Sequence, residues 1–98
     1  MAFVRIGQFK ARTGTIEEIC RTYERDAIPI IRAAEGNISA VLLQQHESPD
    51  TFMAITVWQS RGDAETYERS GLAQQMVEKI RHTFAGPPTL LTYDAYGI

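Results

Sequence analysis

Residues 52–60 read Phe-Met-Ala-Ile-Thr-Val-Trp-Gln-Ser, and together with Thr51 they predict a β-strand over residues 51–59 that is rich in β-branched and aromatic side chains. Successive side chains of a strand point to opposite faces of the sheet. One face therefore carries Phe52, Ala54, Thr56 and Trp58, and the other carries Met53, Ile55 and Val57. Because both faces are largely apolar, this strand is expected to be covered on both sides.

A neighbouring strand is predicted over Asn37–His46, joined to the first by the hairpin link Glu47-Ser48-Pro49-Asp50. It also carries apolar residues on both faces, such as Leu42 and Leu43. Two helices can cover only one face of a four-stranded sheet, so a second copy of the chain is the simplest cover for the other. We therefore predict a homodimer joined through the sheet face. The alternative is a monomer whose exposed face is sparsely apolar.

The remaining elements follow from turn signals and helical spacing. Pro29 interrupts the apolar stripe of the first helix, so a kink or break is expected near Asp26 to Ile28. The predicted elements are a strand over Phe3–Lys10, a helix from Thr15 to Gly36, a short helix capped by Asp63 and running through Arg69, a helix over Leu72–Phe84 and a strand over Thr89–Tyr96. The order is β-α-β-β-α-β, which is an α+β, ferredoxin-like split βαβ fold with a four-stranded antiparallel sheet and helices on one face.

Composition bounds the class of protein but not its chemistry. The 98 residues suit one domain, over 1–98, and a net charge of −2 argues against sequence-independent nucleic-acid binding. The single cysteine excludes an internal disulfide and a cysteine metal cluster. Neither a signal peptide nor an apolar segment long enough to span a membrane is visible. We expect a cytoplasmic protein that binds neither nucleic acid nor membranes.

The strand over residues 51–59 and the segment after it carry a resemblance to a known protein family. The string from Phe52 to Ser60, followed by Ala64, Tyr67 and Ser70, resembles the third-strand-to-helix signature of the antibiotic biosynthesis monooxygenase-like proteins. The glycine-led segment Gly36–Leu43 is similar to the second strand of that family. The resemblance implies a dimeric α+β barrel. It also implies, as in some members, oxidation of phenols or quinols by dioxygen without a metal or organic cofactor; other members have no known reaction.

The chain departs from the common family pattern at two positions. Thr56 stands where many relatives carry a glutamate, and Tyr67 stands where many carry a histidine. Members that open haem need an asparagine on the first strand, a tryptophan on the short helix and a histidine on the next helix, and the regions of Gly7, Tyr67 and Met76-Val77 lack all three. We expect no haem, no metal and no other cofactor.

The candidate pocket lies between the sheet and the helices. Its predicted lining residues are Trp58, Thr56, Tyr23, His46 and Tyr67. Strand alternation groups Thr56 with Trp58 and puts His46 on the Leu42 face, while helical spacing turns Tyr23 inward. The resemblance implies that relatives bind substrates on this side, near Tyr67. The alternative is structural: the aromatic side chains pack in the core and His46 is solvated. No catalytic residue is singled out.

Three functions are compatible with these patterns. The first is cofactor-independent oxygenation of a small aromatic phenol or quinol, which needs a shaped apolar pocket with a few polar groups. The second is a non-catalytic ligand-binding or structural homodimer of the same fold. The third is an isomerase or decarboxylase of a small aromatic acid, which requires a cation in the pocket; Arg5 is the nearest candidate, because it shares a strand face with Phe3, Gly7 and Phe9.

Overall fold

Four antiparallel strands form one sheet in the computed structural model, which describes residues 1–98. The sheet order is β2-β3-β1-β4, and the strands are β1 Ala2–Lys10, β2 Asn37–Gln44, β3 Thr51–Trp58 and β4 Thr89–Ala95. Helices connect β1 to β2 and β3 to β4, as a split βαβ arrangement requires. The predicted α+β, ferredoxin-like fold is confirmed.

The first helical connection has three segments: α1 over Ile16–Thr22, a π-helix over Tyr23–Ala27, and α2 over Ile28–Arg32. The helix is irregular where a kink or break is predicted, but it does not end there: it widens into the π turn immediately before α2 and continues. Pro29, in the first turn of α2, has no backbone N–H to donate to the turn before it, and its ring crowds that turn. Widening the helix over one turn relieves both problems without ending it.

The second connection consists of α3 over Arg61–Arg69, α4 over Leu72–Ile80 and a 3₁₀ turn over Arg81–Thr83. The N-cap of α3 is Ser60 and not Asp63: the Ser60 hydroxyl accepts a hydrogen bond from the Asp63 backbone N–H at 3.1 Å. Gly71, at φ +84°, separates the two helices in a left-handed conformation that favours glycine. The helix predicted over Leu72–Phe84 ends earlier than expected, because Phe84 forms an isolated β-bridge with Ala11.

The core on the helix side of the sheet divides into two clusters. One contains Phe9, Ala11, Ile19, Phe52, Ile80 and Phe84, and the other contains Phe3, Trp58 and Ala64. In the first, the Phe9 and Phe52 rings stack with centroids 5.4 Å apart. Along β1, Arg5 and Gly7 lie between Phe3 and Phe9, so the middle of the sheet is covered by neither cluster.

The opposite face of the sheet is open within the chain and is apolar. Strand alternation gives it Val4, Ile6, Val41, Leu43, Met53, Ile55, Val57, Leu91 and Tyr93. Leu43 and Tyr93 each keep 47% of their surface exposed. None of the helices combines the length and the hydropathy that a membrane crossing requires.

Candidate active site

A hollow over the middle of the sheet arises from the pairing of small residues. The register between β1 and β3 places Phe3 opposite Trp58, Arg5 opposite Thr56, Gly7 opposite Ala54 and Phe9 opposite Phe52. Large rings therefore stand at both ends, and the two smallest side chains form the floor between them. A Cβ added to Gly7 would meet no atom within 4 Å. The resulting cavity has a volume of about 160 Å³.

The walls of this cavity come from β1, β3 and β4 of the sheet and from the π-helix, α2, α3 and α4. The lining residues are Arg5, Gly7, Tyr23, Ala27, Ile31, Ala54, Thr56, Trp58, Tyr67, Glu68, Ala73, Met76, Val77 and Leu90. The π-helix supplies Tyr23 and Ala27. Several of the same residues also border a wider space of about 390 Å³ that extends to Phe84 and Pro88, and this space forms the mouth. The lining is mostly apolar, which is typical of small-molecule sites.

Trp58 closes one end of the cavity and is only 1% exposed. Its indole packs against Tyr67, with ring centroids 5.3 Å apart. Its Nε1–H donates a hydrogen bond to the Thr56 hydroxyl oxygen at 2.9 Å. The indole N–H is therefore occupied within the protein. The polar group that this pair presents to a ligand is the Thr56 O–H, which donates to no group of the chain.

Two tyrosine hydroxyls also belong to the cavity. The Tyr23 ring stacks on Phe9, and burial, with a further contribution from nearby Tyr67, raises the pKa of Tyr23 to about 12. Burial likewise raises the pKa of Tyr67. Both phenols stay protonated near neutral pH, and neither hydroxyl is hydrogen-bonded to another group of the chain. Each is a donor available to a ligand oxygen.

An ion pair crosses the cavity from the sheet to α3. Arg5 Nη2 lies 3.0 Å from Glu68 Oε1, and Nη1 pairs with Oε2, so the contact is bidentate. The hydrogen bonds from Arg5 hold the pKa of Glu68 below its usual value. These two are the charged residues of the cavity and of its mouth.

Four of the five candidate pocket residues line the cavity: Trp58, Thr56, Tyr23 and Tyr67. His46 does not. It is exposed and follows the end of β2, which stops at Gln44, so the strand alternation used to place it no longer applies.

Glu68 also lines the cavity, and the sequence analysis did not predict it. A signal was available, because a charged Arg5 at a core-facing strand position requires an acidic partner, and Glu68 directly follows Tyr67.

The titratable groups outside the cavity give weaker indications of a functional site. His82 Nε2 contacts Glu18 Oε2 at 2.7 Å and links the 3₁₀ turn to α1. Burial and the nearby Glu24 carboxylate raise the pKa of Cys20. The chain brings together no group of three His, Cys, Asp or Glu side chains suited to hold a metal ion.

The sequence profile described as "Antibiotic biosynthesis monooxygenase" matches residues 2–79, which is most of the chain and includes most of the cavity lining. The chain belongs to the antibiotic biosynthesis monooxygenase family. No curated protein matches its sequence.

Solved structures agree with the family fold. A Nitrosomonas europaea protein that carries the same family name superposes with a TM-score of 0.88 at 17% identity, over 98% of this chain and 91% of that one. A mutant of SnoaB, a cofactor-independent oxygenase from Streptomyces nogalater, gives 0.85 at 13% identity, over 99% and 95%. Rv0793 from Mycobacterium tuberculosis gives 0.84 at 13%, over 100% and 98%. At such identities the likeness shows the shared fold.

Proposed function

We propose that this antibiotic biosynthesis monooxygenase-family protein oxidises a small aromatic phenol or quinol with dioxygen, without a cofactor. The observation that carries the proposal is the mostly apolar cavity of about 160 Å³ with its three free hydroxyl donors. An engineered apolar cavity of about 150 Å³ holds benzene, so the inner space suits one aromatic ring. Substituents or further rings extend towards the mouth at Phe84 and Pro88.

The reaction balances without an added reductant. One phenol and one O₂ give one quinone and one water. The phenol loses two hydrogen atoms, one from its hydroxyl group and one from a ring carbon. One oxygen atom of O₂ binds that ring carbon, and the other leaves as water with the two hydrogens. The substrate supplies the electrons once its hydroxyl is deprotonated. Hydrogen-bond donors aimed at the developing phenolate favour that deprotonation.

The cavity residues supply those donors and keep water away. Thr56, Tyr23 and Tyr67 all line the cavity, and the two phenols, whose pKa values are raised by burial, remain protonated near neutral pH. A hydrogen bond from any of these hydroxyls to the phenolate oxygen lowers the pKa of the bound phenol, because hydrogen bonding favours the charged form that it contacts. The apolar walls at Trp58 and Ile31 orient the flat ring and exclude solvent.

Oxygen consumption tests the proposal directly. Purified protein is mixed with a panel of phenols and quinols, without reductant, flavin or metal, and dissolved oxygen and quinone absorbance are followed together. We expect one O₂ consumed per quinone formed from a monophenol of the panel. If ligands bind in the cavity and no panel member is turned over, the non-catalytic ligand-binding dimer is the correct function.

We further propose that two copies pair through the open apolar sheet face. Four large side chains of this face (Val41, Leu43, Leu91 and Tyr93) are among the exposed apolar residues, and no element of the chain covers the face. A stable dimer of this kind buries more than about 1,200 Å² in total. Burying apolar surface supplies about 25 cal/mol per Å² before the costs of association.

Leu43→Lys is expected to convert the dimer to a monomer, because it places an unpaired charge within an apolar interface. Leu43 is 47% exposed on the edge strand β2, so the single chain tolerates the lysine. Leu72→Lys is the matched control, since Leu72 is 39% exposed on α4, away from the sheet face. Sedimentation velocity at micromolar concentration reports the state. A wild-type monomer, or a Leu43→Lys dimer, contradicts the proposal.

A further inference from the structure

Arg5 is a charged residue in a place where charges are rare. It lies in the middle of the central strand β1, on the helix side, between the two clusters of the core. Its side chain is 18% exposed. A guanidinium there needs an anion, and the planar fork of arginine matches a carboxylate through two parallel hydrogen bonds. In this structure Glu68 supplies that carboxylate.

The two partners are held very differently. Arg5 is fixed by its strand, whereas Glu68 stands near the end of the nine-residue helix α3, and its side chain is 52% exposed. The Glu68 carboxylate accepts hydrogen bonds from Arg5 alone. Rotating its side chain outwards returns the carboxylate to water at little cost, as expected for a half-exposed ion pair. The guanidinium then remains in the cavity with its fork unpaired.

The charge balance of the cavity indicates which kind of ligand binds Arg5 once Glu68 has rotated away. Arg5 is the one cation and Glu68 the one anion among the residues that line the cavity and its mouth. An anionic ligand beside both groups would leave a net negative charge in a partly desolvated space. An anionic ligand that replaces Glu68 keeps the space neutral and satisfies both arms of the guanidinium.

We propose that the ligand of this cavity is an aromatic carboxylate, such as a hydroxybenzoic acid, whose carboxylate replaces Glu68 on Arg5. The inference rests on the proposed function, because it assigns an acidic group to the phenol that the cavity takes. The ring then lies over Gly7 and Ala54, next to Arg5 and its cross-strand partner Thr56. Glu68 acts as an internal competitor that keeps Arg5 paired when no ligand is bound.

Calorimetric titration with 4-hydroxybenzoate and with its neutral analogue 4-hydroxybenzamide tests this at pH 7. We expect the wild-type protein to bind the acid at least tenfold more tightly than the amide. Glu68→Gln removes the competing charge at nearly constant size, so it is expected to raise the affinity for the acid three- to tenfold and to leave that for the amide unchanged. Arg5→Gln is expected to lower the affinity for the acid to that for the amide.

Other outcomes overturn the inference. Equal affinity for the acid and the amide, or an unchanged ratio of the two affinities in Glu68→Gln, shows that the ion pair only links β1 to α3. Circular dichroism melts accompany each variant; if Arg5→Gln is unfolded, the exposed Glu68→Gln carries the test alone. Oxygen uptake is a separate readout: selective binding of the acid with release of CO₂ and no oxygen consumption keeps this inference and overturns the oxygenase in favour of a decarboxylase.

Discussion

Gly7→Val is expected to abolish binding of aromatic ligands while leaving the protein at least as stable as the wild type. The new side chain enters the cavity above Ala54, in space where a Cβ meets no atom within 4 Å. A β-branched residue also suits a central strand better than glycine, by about 0.5–1 kcal/mol. Ligand affinity is measured by calorimetry and the free energy of unfolding by urea denaturation. We expect at least a hundredfold loss of affinity.

Two further variants make this prediction specific. Gly7→Ala adds a single methyl group and is expected to weaken binding less than Gly7→Val. Gly86→Val is the matched control: Gly86 lies in the loop before β4, outside the cavity lining, and a Cβ there also meets nothing within 4 Å. It is expected to retain wild-type affinity. Unchanged affinity in Gly7→Val would place the ligand site elsewhere.

Trp58→Ala is expected to cost about 3–5 kcal/mol of folding stability and to remove ligand binding. The indole is 1% exposed, packs with Phe3 and Ala64, and forms one end of the cavity. Its loss leaves a void in the smaller core cluster and opens the ligand space at that end. The free energy of unfolding of a typical protein is about 5–15 kcal/mol, so such a loss is a large fraction of the stability. Urea denaturation followed by circular dichroism measures it.

Milder variants separate the ligand role of this wall from its packing role. Trp58→Phe keeps an aromatic ring but releases the Thr56 hydroxyl from its hydrogen bond, so ligand affinity should change more than stability. Tyr67→Phe removes a hydroxyl that has no partner in the chain; it is expected to change stability by less than about 0.5 kcal/mol and to weaken ligand binding. If both variants bind as the wild type does, these side chains are only structural.

The first helical connection shows how far local sequence reasoning reaches. Pro29 predicts an interruption, because a missing N–H and a clash with the preceding turn are properties of the residue itself. The form of that interruption, a π-helix over Tyr23–Ala27 instead of a sharp kink, depends on what the helix packs against. The wide turn places Tyr23 and Ala27 on the cavity wall while Ile19 stays in the core.

The sequence by itself determined the order of the elements, the two apolar faces of β3 and the strand positions of Thr56 and Trp58. These follow from periods of two and 3.6 residues, which are local properties of a chain. Only the tertiary structure decided that Glu68 pairs with Arg5, 63 residues away, and that the hollow lies over Gly7. Such features depend on cross-strand register and on where a helix packs, and no local period encodes either of them.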